Sequence, residues 1–174
     1  MIPVLKKILF ATDLTENSRY AFFFAASMAS CYDGKITLLH VMEKSSISVE
    51  HSLASFLGDE TWQEMKRKQE SKARNILIGK KKDDEMIRKA LALFCSTAGL
   101  ASDCCSFTTD EIIIKSGKVI DEIIRTAGDK GCNLIVLGAH KGLFGTTSVG
   151  SVAKGVLQKA SIPVLIVPPP PLKV

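Results

Sequence analysis

Five short runs of near-continuous apolar character alternate with stretches of helical period along this chain, and few folds accommodate that order. The runs lie at 4–11, 36–41, 112–114, 134–137 and 162–167. A strand that is apolar at nearly every position is covered on both faces, the condition of a parallel sheet held between layers of helices. Between the first two runs, residues 18–30 have helical length, with Ala21, Ala25 and Met28 on one face. Thr15 or Asn17 is placed to cap that helix, and Asp33-Gly34 to end it. Strand, helix and strand within about forty residues form a βαβ opening.

The middle of the chain is less regular. Residues 44–61 are polar and Ser-rich, and the expectation for them is irregular structure. A helix is expected over 62–78, with Trp62, Met65, Ala73 and Leu77 on or near one side, broken or kinked by Gly79 and the charges after it. Met86, Ile87, Ala90, Leu91, Phe94 and Ala98 recur at a spacing of 3–4 and predict a second helix, ended by Gly99. Further on, Ile120, Ile123, Ile124 and Ala127 give a third helix its apolar face, with Asp121, Glu122 and Arg125 outward. A last helix is expected over 151–159, with Val152, Val156 and Leu157 inward. Pro168 to Pro171 extend neither ladder nor helix, so the fold stops there.

The resulting order, β-α-β-(insertion-α)-β-α-β-α-β, predicts one α/β domain over 1–174. Its architecture is a single doubly wound sheet of five mainly parallel strands with helices on both faces and right-handed crossovers. Residues 44–82 are an insertion after strand two, and 168–174 a Pro-rich tail. Ligands of such sheets bind beyond the carboxyl ends of the strands, where strand order reverses. Two segments there carry suitable chemistry: Ala11-Thr12-Asp13 after the first strand, and the loop from Gly138 onward after the fourth.

Charge and cysteine usage narrow the function classes. The net charge is +5, which invites a nucleic-acid reading, but ten of the 23 basic and five of the 18 acidic residues lie between Glu64 and Lys89. Thirteen of each remain elsewhere, so the excess is local. Aromatic residues near that segment are sparse, which argues against stacking on single strands and for a solvated helix face. Nucleic acid is therefore not an expected partner. No apolar run approaches the ~18 residues of a membrane span, and the first residues lack the order of a secretion signal. Five cysteines (31, 95, 104, 105, 132), with no C-x2-C pair, fit neither a complete disulfide framework nor a zinc site. The expected location is the reducing cytoplasm. Cys104 and Cys105 are adjacent, so a disulfide between them would be strained, and they read as packing thiols.

The loop Gly138-Ala-His-Lys-Gly142-Leu-Phe-Gly145-Thr-Thr-Ser-Val-Gly150-Ser151 joins a buried strand to a helix. Glycines let backbone N–H groups approach an anion without interference from Cβ. Ser151 adds a hydroxyl beside the unpaired N–H donors and positive end of that helix. The loop is neither a Walker A sequence nor a dinucleotide fingerprint, and it reads equally as a flexible connection with an ordinary serine cap. His40, in an apolar strand, reads as a satisfied core or loop-edge histidine. His140 lies within the candidate loop. A phosphoacceptor role for Asp13 is disfavoured, because that chemistry needs an acidic cluster after strand one, a second aspartate after strand three and a lysine directly after strand five, and Ile162–Val167 runs into proline instead.

These pieces, in order, resemble the universal stress protein (UspA-like) family. The matching segments are Lys7-Ile-Leu-Phe-Ala-Thr-Asp13, Ile36-Thr-Leu-Leu-His-Val41, Gly117-Lys-Val-Ile-Asp-Glu-Ile-Ile124 and Asn133-Leu-Ile-Val-Leu-Gly-Ala-His140. The stretch from Val149 to Val167 matches most closely, and 44–109 is not diagnostic. The resemblance implies strand order 3-2-1-4-5 and a cytoplasmic homodimer paired through the last strand, Ile162 to Val167. For one branch of the family it also implies ATP, with or without Mg2+, held by Gly-x2-Gly-x9-Gly-(Ser/Thr). Carried over, Asp13 binds the ribose with Ala11 and Thr12 alongside, and the Val41 backbone meets adenine. Leu137, Gly138 and His140 line the ribose and first phosphate, and Gly150, Ser151 and Val152 receive the outer phosphates.

This chain departs from that pattern at one point. Lys141 stands where the second glycine belongs, Gly142 follows it, and eleven rather than twelve residues separate Gly138 from Gly150. Either Gly142 serves after a slip of one residue, or Lys141 meets a phosphate as a point charge. The expected function is a regulatory module that binds ATP and acts through dimerisation and protein partners. The alternatives are a nucleotide-free stress-response dimer acting by protein contacts, or a slow ATPase. No nucleophile–base constellation and no group placed to orient water is evident in the sequence.

Overall fold

The computed structural model describes residues 4–43, 49–70, 80–100, 108–141 and 147–170. The chain runs β1 (Lys7–Thr12), α1 (Glu16–Cys31), β2 (Lys35–Met42), α2 (Val49–Leu57), α3 (Asp59–Glu70), α4 (Lys80–Leu100) and β3 (Thr108–Ser116). It continues through α5 (Val119–Asp129), β4 (Leu134–Gly138), a short pair β5 (His140–Lys141) and β6 (Thr147–Ser148), α6 (Ser151–Lys159) and β7 (Val164–Val167). Five strands form one sheet in the order β3-β2-β1-β4-β7, and every pairing in it is parallel. With β7 counted as the fifth strand, this is the expected order 3-2-1-4-5.

Alternate residues of each central strand feed two cores. Ile8 and Phe10 of β1, Ile36 and Leu38 of β2, and Leu134 and Val136 of β4 pack with α1 to α4 on one face. Leu9, Ala11, Leu39, Val41, Ile135 and Leu137 pack with α5 and α6 on the other. Both faces are covered, which is why the strands are apolar throughout rather than alternating. The chain leaves β1 for β2 and β3, then returns to β4 on the other side of β1, so strand order reverses between β1 and β4.

The segment after β2 departs from expectation. Residues 49–57 and 59–70 are helical where irregular structure was expected up to residue 61. The cause is burial. Leu53, Phe56 and Leu57 of α2, and Trp62 and Met65 of α3, all enter the core formed with α1 and α4. Aromatic rings link the layers edge-on: Phe10 to Phe22 at 5.3 Å, Phe22 to Phe94 at 5.0 Å, and Phe94 to Phe56 at 4.8 Å between centroids. Lys80 to Asp84, read as a break, instead form the start of α4. Ala73, Leu77, Cys104 and Cys105 lie outside the described residues.

Two smaller differences follow from helix geometry and proline. Leu157 is 49% exposed rather than inward, because Ala153 and Val156 make the buried stripe of α6 and the next residue is turned out. The last strand begins at Val164, after Pro163, whose carbonyl accepts from the Ile135 amide at 3.0 Å. Within the basic segment, Arg67 donates to the Gln63 carbonyl, Arg88 to the Ile112 carbonyl, and Lys89 pairs with Glu85. All three side chains lie on exposed helix surface.

Candidate functional site

The end of β1 is held in a tight, unusual turn. Leu14 adopts a left-handed φ of 62° although it is not glycine, and its side chain is buried. Such a conformation costs of order 1–3 kcal/mol and persists where its surroundings fix it. Here the Leu14 amide donates to Thr12 Oγ1 at 3.0 Å, and Thr12 Oγ1 meets Ser18 Oγ at 2.9 Å. Thr15 caps α1 in a reciprocal box with Ser18. The Thr15 amide and hydroxyl both donate to Asp13 Oδ1, at 3.1 and 2.7 Å. Asp13 is thus a member of the turn that precedes the cap, not the cap itself.

Above this turn, the carboxyl ends of β1, β2 and β4 enclose a cavity of about 510 Å3. Its wall brings together Ala11, Thr12, Asp13, Val41, Leu137, Gly138, Gly150 and Val152, eight of the residues singled out from sequence. Ser151 opens α6 beside it and is exposed, outside the lining. The backbone of His140 and Lys141 pairs antiparallel with Ser148 and Thr147, and Gly138 and Gly150, which flank this pair, both line the cavity. Gly142 lies outside the described residues.

Gly138 is glycine for a reason the sequence did not reveal. A Cβ there would lie 3.1 Å from Ser18 Cα and 3.2 Å from the Asn17 carbonyl oxygen, both backbone atoms of the first turn of α1. The residue therefore lets α1 approach β4. Gly138→Ala is expected to destabilise the fold by about 1–3 kcal/mol, the usual result of overpacking against atoms that cannot yield. Urea unfolding measures this, and an unchanged midpoint would show that the helix start gives way.

Two helix starts open on the cavity. Neither α5, from Val119, nor α6, from Ser151, has a side-chain hydrogen bond at its N-cap, in contrast to α1. The first-turn acids of α5 are engaged elsewhere: Asp121 with Lys159 at 2.8 Å, and Glu122 with Arg125 and Lys115. The first turn of α6 has no acidic residue, and Gly150, Val152 and Ala153 belong to the cavity wall. Such a helix start presents N–H donors and positive potential to an anion. The rest of the wall is largely apolar, from Leu39, Val119, Ile123 and Leu137, while Asp13 and Glu43 supply carboxylates.

Sequence reasoning missed other members of this wall. Ser52 comes from α2, and Met42 and Glu43 from the end of β2. His40 is there too, half-buried, and its Nδ1 lies 2.9 Å from the Thr12 carbonyl oxygen. Burial holds this imidazole below its ordinary pKa, against the opposing pull of the Thr12 bond and of Asp13 and Asp84.

A parallel sheet of this order, with its cavity beside the reversal between β1 and β4, defines a doubly wound α/β protein. The chain matches the universal stress protein family over residues 5–168 and belongs to it. It is similar to universal stress protein MJ0577 of Methanocaldococcus jannaschii, with 27% identity over 176 residues that cover 96% of this chain and 97% of that protein. The solved structure of MJ0577 gives a TM-score of 0.57 at 26% identity, over 97% of this chain and 99% of the other. UspA from Lactobacillus plantarum shares the fold, with TM-score 0.55 and 21% identity over 95% and 99% of the two chains. So does a universal stress protein solved in complex with cAMP, with TM-score 0.54 and 15% identity over 95% and 98%. No helix among the described residues is long and apolar enough to cross a membrane.

Proposed function

We propose that this universal stress protein binds an adenine nucleotide, ATP, in the cavity between β1 and β4, and acts as a cytoplasmic regulatory module through self-association and protein partners. The observation that carries this reading is the cavity itself. It combines an apolar interior, a carboxylate at Asp13 and an uncapped helix start at Gly150. Its size of about 510 Å3 falls in the range of small-molecule and cofactor sites. The Asp13 carboxylate is suited to accept from ribose hydroxyls, Leu39, Val41 and Ile123 to flank a base, and Gly150 and the first turn of α6 to receive phosphate. The acidic groups of the wall, Asp13 and Glu43, favour a ligand whose anionic end lies away from them, toward α6. Mg2+ accompanying ATP would be held chiefly by phosphate oxygens and water. Self-association would use β7, an edge strand of the sheet, paired on one side with β4.

The test is direct. Purified protein is denatured and its supernatant analysed by absorbance at 260 nm and mass spectrometry, and nucleotide-free protein is titrated with ATP–Mg2+ by calorimetry. Adenine nucleotide in the supernatant, or saturable heat, is expected. Neither appearing would overturn the proposal.

A further inference from the structure

His40 stands opposite Thr12 in the β1–β2 register, and Thr12 is the last residue of β1 before the turn that carries Asp13. A carbonyl oxygen accepts hydrogen bonds and never donates them, so the 2.9 Å contact places the proton of the neutral ring on Nδ1. Nε2 is then bare. On the same side of the sheet, near the start of α4, Asp84 Oδ1 is buried and has no hydrogen-bond partner among the described residues. A buried carboxylate oxygen without a donor is unfavourable. Asp84 acts on His40 electrostatically, as does Asp13.

We propose that His40 is a positioning residue of the cavity: neutral, it holds the Asp13 turn through the Thr12 carbonyl, and protonated, it also pairs with Asp84, so that nucleotide affinity rises as pH falls. This rests on the nucleotide reading above. A polyphosphate adds negative charge beside a wall that includes His40, and so joins Asp13 and Asp84 in favouring the imidazolium against its burial. Binding then takes up a proton, and by reciprocity acid strengthens binding. Glu43, just beyond β2, is a further carboxylate of the same wall and acts in the same direction. On β3, Ile114 lies opposite, while Lys115 is engaged with Thr126 and Glu122 of α5. On α4, Arg88 is occupied by the Ile112 carbonyl and Glu85 by Lys89. The cavity residues contributed by α1 and α2 are the uncharged Ser18 and Ser52, and His51 of α2 is exposed.

The experiment has a ligand-bound and a ligand-free arm. Calorimetry with ATP–Mg2+ at pH 7.5 and 5.5 compares the wild type with His40→Asn, whose amide still reaches the Thr12 carbonyl but does not titrate. The ligand's own phosphate ionisation is common to both proteins and cancels in their ratio. Relative to His40→Asn, the wild type is expected to gain at least about threefold in affinity on acidification. His40→Ala, which releases the turn, is expected to bind weakly at both pH values, with His40→Asn recovering part of the loss. Equal pH dependence in the wild type and His40→Asn would overturn the coupling. In the ligand-free arm, histidine 15N and 13C NMR reads the tautomer and titration of His40. An Nδ1–H tautomer titrating below about pH 6.5 is expected, with a lower midpoint in Asp84→Asn. The opposite tautomer, or a midpoint unmoved by Asp84→Asn, would overturn the pairing. If ATP fails to bind at all, the nucleotide reading falls and the pH coupling with it, whereas the roles of Thr12 and Asp84 are still decided by NMR.

Discussion

Gly150→Val is expected to weaken ATP binding by about 100-fold or more while leaving the thermal midpoint nearly unchanged. Gly150 has φ −59° and ψ 164°, a region that valine adopts without strain, so the backbone has no reason to move. The new side chain would instead occupy the cavity wall and cover the first N–H groups of α6. Those donors are the ones left without a side-chain cap. Hydrogen bonds to a charged group contribute about 1.5–3 kcal/mol each, and 100-fold corresponds to about 2.8 kcal/mol, so losing one or two suffices. Calorimetry and thermal melts on the same samples separate the two effects. Undiminished affinity in a folded Gly150→Val protein would place the anion somewhere other than the start of α6.

The second large effect concerns stability. Phe56 of α2 is fully buried, and its ring meets Phe94 of α4 edge-on at 4.8 Å. Phe94 in turn meets Phe22 of α1 at 5.0 Å. Phe56→Ala removes the end of this chain of rings and leaves a void that helices on three sides cannot fill, with an expected loss of about 3–5 kcal/mol. Beyond lost area, an edge-on pair contributes about 0.5–1.5 kcal/mol, which a double-mutant cycle with Phe94→Leu isolates. Urea unfolding followed by far-UV circular dichroism is the measurement. A loss below about 1 kcal/mol would mean that α2 is only loosely docked.

The sheet was legible because its signal is local. Runs such as Leu134 to Leu137 state their double burial in four residues, and α6 follows the expected bounds of 151–159. The helices after β2 were not legible, although their core residues are apolar. Leu53, Phe56 and Leu57 keep helical spacing up to Gly58, and Trp62 and Met65 resume it after a change of direction at that glycine, where φ is 85°. No single window spans both, and the serines of 44–61 dilute each half. The pair β5–β6 is two residues long and carries no period at all.

In the site, legibility followed residue chemistry rather than position. Asp13, Gly138 and Gly150 were visible because a carboxylate or a glycine at a strand or helix end is unusual in itself. Gly138 shows the limit of that signal, since close approach to α1 accounts for its missing side chain. His40 was read as a core or loop-edge histidine, which its half-burial matches, but its bond to Thr12 depends on the register between two strands 28 positions apart. Ser52 was invisible until α2 existed to present it.

Ser52 and Phe56 lie four residues apart on α2, one helical turn, the first in the cavity wall and the second in the core. Wall and anchor therefore move as one rigid piece. Any ligand that needs a wider entrance on this side must draw an aromatic ring out of a packed interior, so the aperture is set by the same energy that keeps the protein folded. Sequence change in the insert is free to alter what the ligand meets at Ser52, but not how far α2 stands from the sheet.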